Sequence, residues 1–145
     1  GIPVCFVVVR FRDGYPEIDP RNETFARITG NEAGSAMTEE SDATEPAITP
    51  TDDDLVIAKK RVSAFAGSDL EMILRAQGIT HLVLAGIATS GVVLSTLRYA
   101  ADRDYELTVL ADCCADPDSE VHDILLEKVF PTQATVLTSG DWRPE

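Results

Sequence analysis

Positive charge is scarce in this sequence. Twelve Lys and Arg stand against 25 Asp and Glu in 145 residues, a formal net charge of −13. Phosphate backbones and anionic lipid surfaces both need a basic face, so neither nucleic acid nor a membrane is the expected partner. A small-molecule substrate is the simpler expectation. No apolar run approaches the ~20 residues that cross a bilayer. Ile2 to Val9 is too short, contains Pro3 and lacks the cationic start of a signal peptide. Cysteine is limited to Cys5, Cys113 and Cys114. Their odd number, with two adjacent, predicts reduced thiols and a cytoplasmic setting. Histidine is limited to His81 and His122, which follow no ligand spacing, so no catalytic metal is expected. Gly86 to Gly91 is not a Gly-x-Gly-x-x-Gly fingerprint, and no Gly-Lys-Ser/Thr follows it. No nucleotide or other cofactor is therefore expected.

What is present is an alternation of strand and helix patterns in a chain long enough for one domain, residues 1–145, with one core. Ile2 to Phe11 is β-branched and aromatic, as in a buried parallel strand. Leu55 to Ala58 is a second strand candidate. Ser68-Asp69-Leu70-Glu71 has capping-box spacing, Leu70, Ile73 and Leu74 follow at helical spacing, and Gly78 is a helix stop. His81 to Ala85 is a strand. A helix follows Thr89-Ser90 with Val93, Thr96, Leu97 and Ala100 on its inner face. Leu107 to Leu110 is the next strand. Asp116-Pro117 reads as an N-cap with proline at the first helical position, and Val121, Ile124, Leu125 and Val129 line that helix. Ala134 to Leu137 is a last strand, closed by Ser139 to Trp142. This order predicts a doubly wound α/β sheet.

From Gly30 to Asp54 the pattern lapses. Eight acidic residues fall there with no Lys or Arg between them. A stretch of this kind is either a surface loop or subunit-contact arm, or a lid over a substrate. At the other extreme, Gly1 to Val7 has the form of Gly78 to Leu84, a helix stop feeding a strand. That likeness predicts a strand and helix ahead of Gly1.

Several motifs resemble those of the isochorismatase-like (cysteine) hydrolase family. Lys59-Lys60-Arg61-Val62-Ser63-Ala64-Phe65 is similar to its lysine strand, which maps the catalytic lysine to Lys59. Gly78 to Gly86 resembles the strand leading to the nucleophile turn, and Gly86-Ile87-Ala88-Thr89-Ser90-Gly91-Val92-Val93 resembles the turn itself. Ser95 to Asp102 and Val109 to Ala115 fit the next helix and strand end. The match runs from the start to about Trp142 and is most specific from Lys59 to Asp116. The resemblance implies a three-layer α/β/α fold on a mostly parallel six-stranded sheet. Its first strand, bearing a catalytic Asp, would lie before Gly1. It also implies a homo-oligomer, a dimer or tetramer, and an oxyanion site made by the amides of Ala88 and Val92 around a cis peptide between Ile87 and Ala88.

The same comparison puts Val92 where most of that family has its cysteine nucleophile. A valine has no lone pair with which to attack a carbonyl, so acyl-enzyme chemistry is not expected. The isochorismatase branch suggests another route, in which an Asp protonates a vinyl ether and water adds to the resulting oxocarbonium. The Asp-x-His pattern that some relatives use for a metal is absent. Lys59 is then the orienting cation, against a bland reading as a solvated strand end. Lys60, its neighbour, should face the other way. Thr89 and Ser90 either cap the helix or offer its free amides to a substrate oxygen. Ser90 as a replacement nucleophile lacks a histidine nearby in sequence. Arg12 is a candidate partner for a substrate carboxylate or a surface residue, and Phe65 a pocket wall. Cys113 and Cys114 end a strand on the rim where open α/β sheets place ligands, either as a rescuing thiol or as small hydrophobes. Two functions stay open: a thiol-independent hydrolase of a small carboxylated metabolite, and a catalytically silent relative that binds a ligand or a subunit.

Overall fold

The computed structural model describes residues 2–29, 37–38 and 50–144. Most of the acidic stretch from Gly30 to Asp54 lies outside the described residues, so the choice between loop and lid falls there too. The chain divides into two compact units, 1–61 with 66–68 and 62–65 with 69–145.

In the first unit, β1 (Cys5–Val9) runs parallel to β2 (Leu55–Lys59), with Val7 opposite Ile57. The strand expected from Ile2 to Phe11 is shorter at both ends. Its partner begins at Leu55, opposite Cys5, and Pro3 has no N–H to give a ladder, so Ile2 and Val4 are left about half exposed. Beyond Val9 the pairing continues only as Arg10 N–H to Lys59 O and an isolated bridge from Phe11 to Thr38. A short helix, α1 (Glu23–Ala26), is capped by Asn22, whose side chain accepts from the Phe25 amide. The apolar centre is the fully buried Phe11, edge-on to Phe25 at 5.7 Å and to Tyr15 at 6.2 Å, with Ile57.

Gly67 has φ +72°, and a Cβ built on it would lie 2.7 Å from the Lys60 Cβ. Only glycine allows the loop to return this close to the end of β2, where Lys60 N–H bonds Ala66 O.

The second unit holds a three-stranded parallel sheet in the order β3 (His81–Ile87), β4 (Glu106–Ala115), β5 (Thr135–Leu137). Parallel neighbours need crossovers, and helices supply them. The first helix of the unit, α2 (Leu70–Ala76), ends as expected at Gly78 (φ +66°). Ile79 N–H bonds Leu74 O and Gly78 N–H bonds Arg75 O, which closes the helix in a Schellman motif. Its start corrects the capping-box expectation. Asp69 is the N-cap and makes no side-chain cap bond. Glu71 does not reach back, because it is bonded to Arg75, Arg103 and Tyr99.

After β3, a wide turn (Thr89–Val93) leads into α3 (Leu94–Ala101). Val93, Thr96, Leu97 and Ala100 are buried, matching the expected inner face. Thr96 Oγ1 accepts from the Ala64 amide, so a buried polar side chain is satisfied. β4 outruns its predicted end at Leu110 and takes in Cys113 and Cys114. A step of two along β3, from Leu84 to Gly86, is matched by a step of five along β4, from Val109 to Cys114, so β4 bulges there.

The helix after β4 also departs from expectation. It is α4 (Ser119–Ile124), and its N-cap is Asp118, accepting from the Glu120 and Val121 amides. Asp116 lies outside the helix, because its carboxylate is used elsewhere. Leu125 is buried, but Val121 and Ile124 are exposed. The fully buried Phe130, in a short 3₁₀ turn, carries the packing that was assigned to them. Among the described residues, five strands form two parallel sheets, of two and three strands. No helix among those residues is long and apolar enough to cross a membrane.

The glycine argument makes a stability prediction. Gly67→Ala should lower unfolding free energy by about 1–3 kcal/mol, from left-handed strain and the clash with Lys60. Gly140→Ala, whose nearest neighbour is 3.8 Å away, should fall within about 0.5 kcal/mol of wild type. Urea melts of both variants check this; equal losses would refute it.

Candidate active site

In the first unit, Lys59 ends β2 on the covered side of the strand and is only 5% exposed. Its Nζ donates to Arg61 O at 2.6 Å. Burial away from water disfavours the ammonium and pushes its pKa down to about 8. The bland reading of a solvated strand end is thereby corrected. Lys60 does not point into bulk water either. Its side chain is 15% exposed, its Nζ donates to Arg10 O at 2.6 Å, and Glu17 lies 3.8 Å away. Those two acceptors hold the cation that strand alternation alone would have sent outward.

Glu17 is pulled both ways. Burial raises its carboxyl pKa, but hydrogen bonds from its own backbone, from the Arg12 amide and from the Arg12 guanidinium, together with the Lys60 charge, bring it below the usual value. Arg12 is therefore paired with Glu17 at 2.6 Å, while remaining 62% exposed.

In the second unit the polypeptide turns sharply at the carboxyl end of β3. The Ile87–Ala88 peptide is cis, as the family resemblance implies. Ala88 O accepts from both Gly91 N–H and Val93 N–H. Ala88 itself takes the N-cap position, and no side chain caps the turn. The capping reading of Thr89 and Ser90 is thus corrected. Thr89 is fully buried, and its Oγ1 lies 2.8 Å from His122 Nδ1 on α4. Ser90 is exposed, and its N–H donates to Asp116 Oδ2 at 2.7 Å. A carboxylate at the positive end of a helix is favourable, and those bonds from Ser90 hold Asp116 below its ordinary pKa. Val92 is half-buried. Phe65 is buried, stacked on Tyr99 at 4.7 Å.

Sequence reasoning missed Asp116 and His122 as parts of this turn. They lie 26 and 33 residues from their partners, and only the β4 crossover brings them back. The cysteines offer little chemistry. Burial raises the Cys114 and Cys5 pKa values, which disfavours the thiolate. Cys113 is exposed. Among the described residues, no three His, Cys, Asp or Glu side chains group to hold a metal.

Each unit carries its polar groups at the carboxyl ends of parallel strands, where open α/β sheets place ligands: a desolvated lysine in the first, an amide-bearing turn in the second. The chain belongs to the isochorismatase family, whose domain matches residues 1–141. It is 47% identical over 75 residues to the ureidoacrylate amidohydrolase RutB of Methylobacterium radiotolerans, covering 50% of this chain and 29% of that protein. The N-carbamoylsarcosine amidase of Thermoplasma acidophilum superposes with a TM-score of 0.74 at 31% identity, covering 99% of this chain and 76% of that one. A cysteine hydrolase from Pseudomonas syringae pv. phaseolicola 1448A shares the fold, with a TM-score of 0.84 at 20% identity over 97% of this chain and 70% of that one. The chain spans 29% to 66% of the length of the first curated relatives it matches.

Lys59 makes the pH dependence of stability specific. Its pKa is about 8 in the folded state and near 10.5 without burial. Between those values the unfolded chain holds more protons, so this group's contribution to stability rises with pH; below about 8 the full cost of burying the charge is present. Relative to Lys59→Met, wild type should therefore gain stability between pH 8 and 10, by an amount on the order of 2 kcal/mol. Urea unfolding at both pH values measures it, and a constant difference would contradict it.

Proposed function

We propose that the protein is a hydrolase of a small carboxylated metabolite, working by acid–base chemistry without a cysteine nucleophile. The observation that carries the proposal is Lys59. A lysine at the family's catalytic position, buried and with its pKa lowered to about 8, has the character of a working group rather than a solvated strand end. In this reading Lys59 orients and stabilises the catalytic aspartate that the family resemblance implies. That aspartate protonates the substrate, and water adds to the resulting cation and completes cleavage of the carbon–oxygen bond. The amides of Ala88 and Val92 receive the oxygen that gains charge. Thr89 and Ser90 present the helix start, Phe65 is a pocket wall, and Arg12 meets a substrate carboxylate by exchanging Glu17 for it. Val92 is a wall of the site where most of the family has its thiol. The protein would act as a homo-oligomer, a dimer or tetramer.

A second reading has its own observation. Asp116 already occupies the Ser90 amide, so a catalytically silent relative that binds a ligand or subunit would need no change at this turn.

A panel of small carboxylated vinyl ethers, amides and ureas separates the two. The hydrolase should turn over at least one, resist iodoacetamide, and lose about 100-fold or more of kcat/KM in Lys59→Ala. Val92→Cys should add an iodoacetamide-sensitive amidase activity. If wild type and Lys59→Ala are equally inert across the panel yet bind a common ligand, the silent reading replaces the hydrolase.

A further inference from the structure

Of the two histidines in the chain, one reaches the turn. His122 Nδ1 meets the hydroxyl of Thr89, the residue after Ala88 and its cis bond, at 2.8 Å. Thr89 is fully buried, so water cannot replace this partner without opening the turn. The hydroxyl carries one proton, and the direction in which it points is set by the nitrogen facing it. An unprotonated Nδ1 accepts that proton. A protonated Nδ1 donates to Oγ1 and forces the hydroxyl proton to another acceptor.

We propose that His122 is a positioning residue of the 88–92 turn, which reverses the direction of the Thr89 hydrogen bond when its imidazole gains a proton and so couples the turn to pH. The neutral ring is assigned the Nε2–H tautomer, with Thr89 Oγ1–H donating to Nδ1. On protonation, Nδ1–H donates to Oγ1 and the Thr89 hydroxyl is released to donate within the turn. No bond to carbon forms or breaks, and the proton taken up comes from solvent.

The charged surroundings are simple. The turn Thr89–Val93 carries no ionisable side chain. From the end of β4 comes Asp116, bonded to the Ser90 amide and within electrostatic reach of His122. On α4 and its continuation lie Asp118, Glu120, Asp123, Glu127 and Lys128. Asp116 is held below the usual carboxylate range, so its own titration falls at more acid pH than that of an imidazole. The effect of His122 on turnover rests on the hydrolase reading; its coupling to the turn does not.

The experiment follows ring and backbone ¹⁵N resonances of the labelled chain from pH 5 to 9, in wild type, Thr89→Val, Thr89→Ser and His122→Asn. The expected result has three parts. The neutral His122 ring is protonated at Nε2. The amides of residues 88–92 shift with the same midpoint as that ring. Thr89→Val abolishes the shared midpoint while Thr89→Ser keeps it. Should Thr89→Val fail to fold, His122→Asn supplies the same measure, with flat turn amides across this range. A neutral ring protonated at Nδ1, turn amides that ignore the ring, or turn amides that still titrate in His122→Asn would each overturn the proposal. Absence of activity toward every substrate tested would overturn the hydrolase reading and leave this coupling standing.

Discussion

Parallel strand pairing is the constraint from which the arrangement of this protein follows. A parallel neighbour can be reached only by a crossover, so every strand enters the sheet from the same side and leaves at the same edge. In the second unit the leaving edge collects the turn after β3, the Asp116 segment after β4 and the Ser139 turn after β5. Asp112 of β4 ties the last of these down, accepting from both the amide and the hydroxyl of Ser139. In the first unit the carboxyl ends of its own two strands carry Arg10 to Arg12 after β1 and Lys59 to Arg61 after β2. The residues with chemical potential are therefore gathered by topology.

In the two units the cations and anions at strand ends are handled differently. Lys59 and Lys60 donate hydrogen bonds to backbone carbonyls, of Arg61 and Arg10. Such partners are dipoles rather than full charges, so the cost of removing water from Lys59 is only partly offset, and its ammonium becomes easier to deprotonate. Asp116, by contrast, accepts hydrogen bonds from backbone amides and is stabilised as an anion. A lysine eased toward neutrality in one unit and a carboxylate fixed in its charged form in the other are opposite outcomes of one rule, the match between a charge and the backbone groups around it.

Much of this was legible in the sequence because it depends on short-range periodicity and on family motifs of fixed spacing. The inner face of α3, the Gly78 stop and the cis turn belong to segments whose neighbours in sequence are their neighbours in space. What was illegible involves competition. Glu71 has the spacing of a capping box, but two arginines compete for its carboxylate and a charge outbids a neutral amide. Asp116 precedes a proline as a helix cap does, but Ser90 claims it and Asp118 caps instead. Val121 and Ile124 have the right period for an inner face, while Phe130, just beyond the helix, fills the core. His122 looked idle because its partner is reached only after a strand and two turns. The six-stranded sheet rests on the family resemblance; five strands lie among the described residues.

The bulge in β4 separates two tasks that a regular strand would join. Up to Leu110 the strand keeps strict register with both neighbours, Val109 facing Leu84 on one side and Val136 on the other. The surplus residues that follow, before Cys114 meets Gly86, belong to neither ladder. Asp112 lies in that slack and anchors it to the Ser139 turn, so chain length has room to change on either side of that anchor. An insertion or deletion there would slide the downstream carboxylate and the histidine-bearing helix along the rim as a block. Descendants of this fold could thus retune their chemistry by altering loop length, with the hydrocarbon interior left as it is.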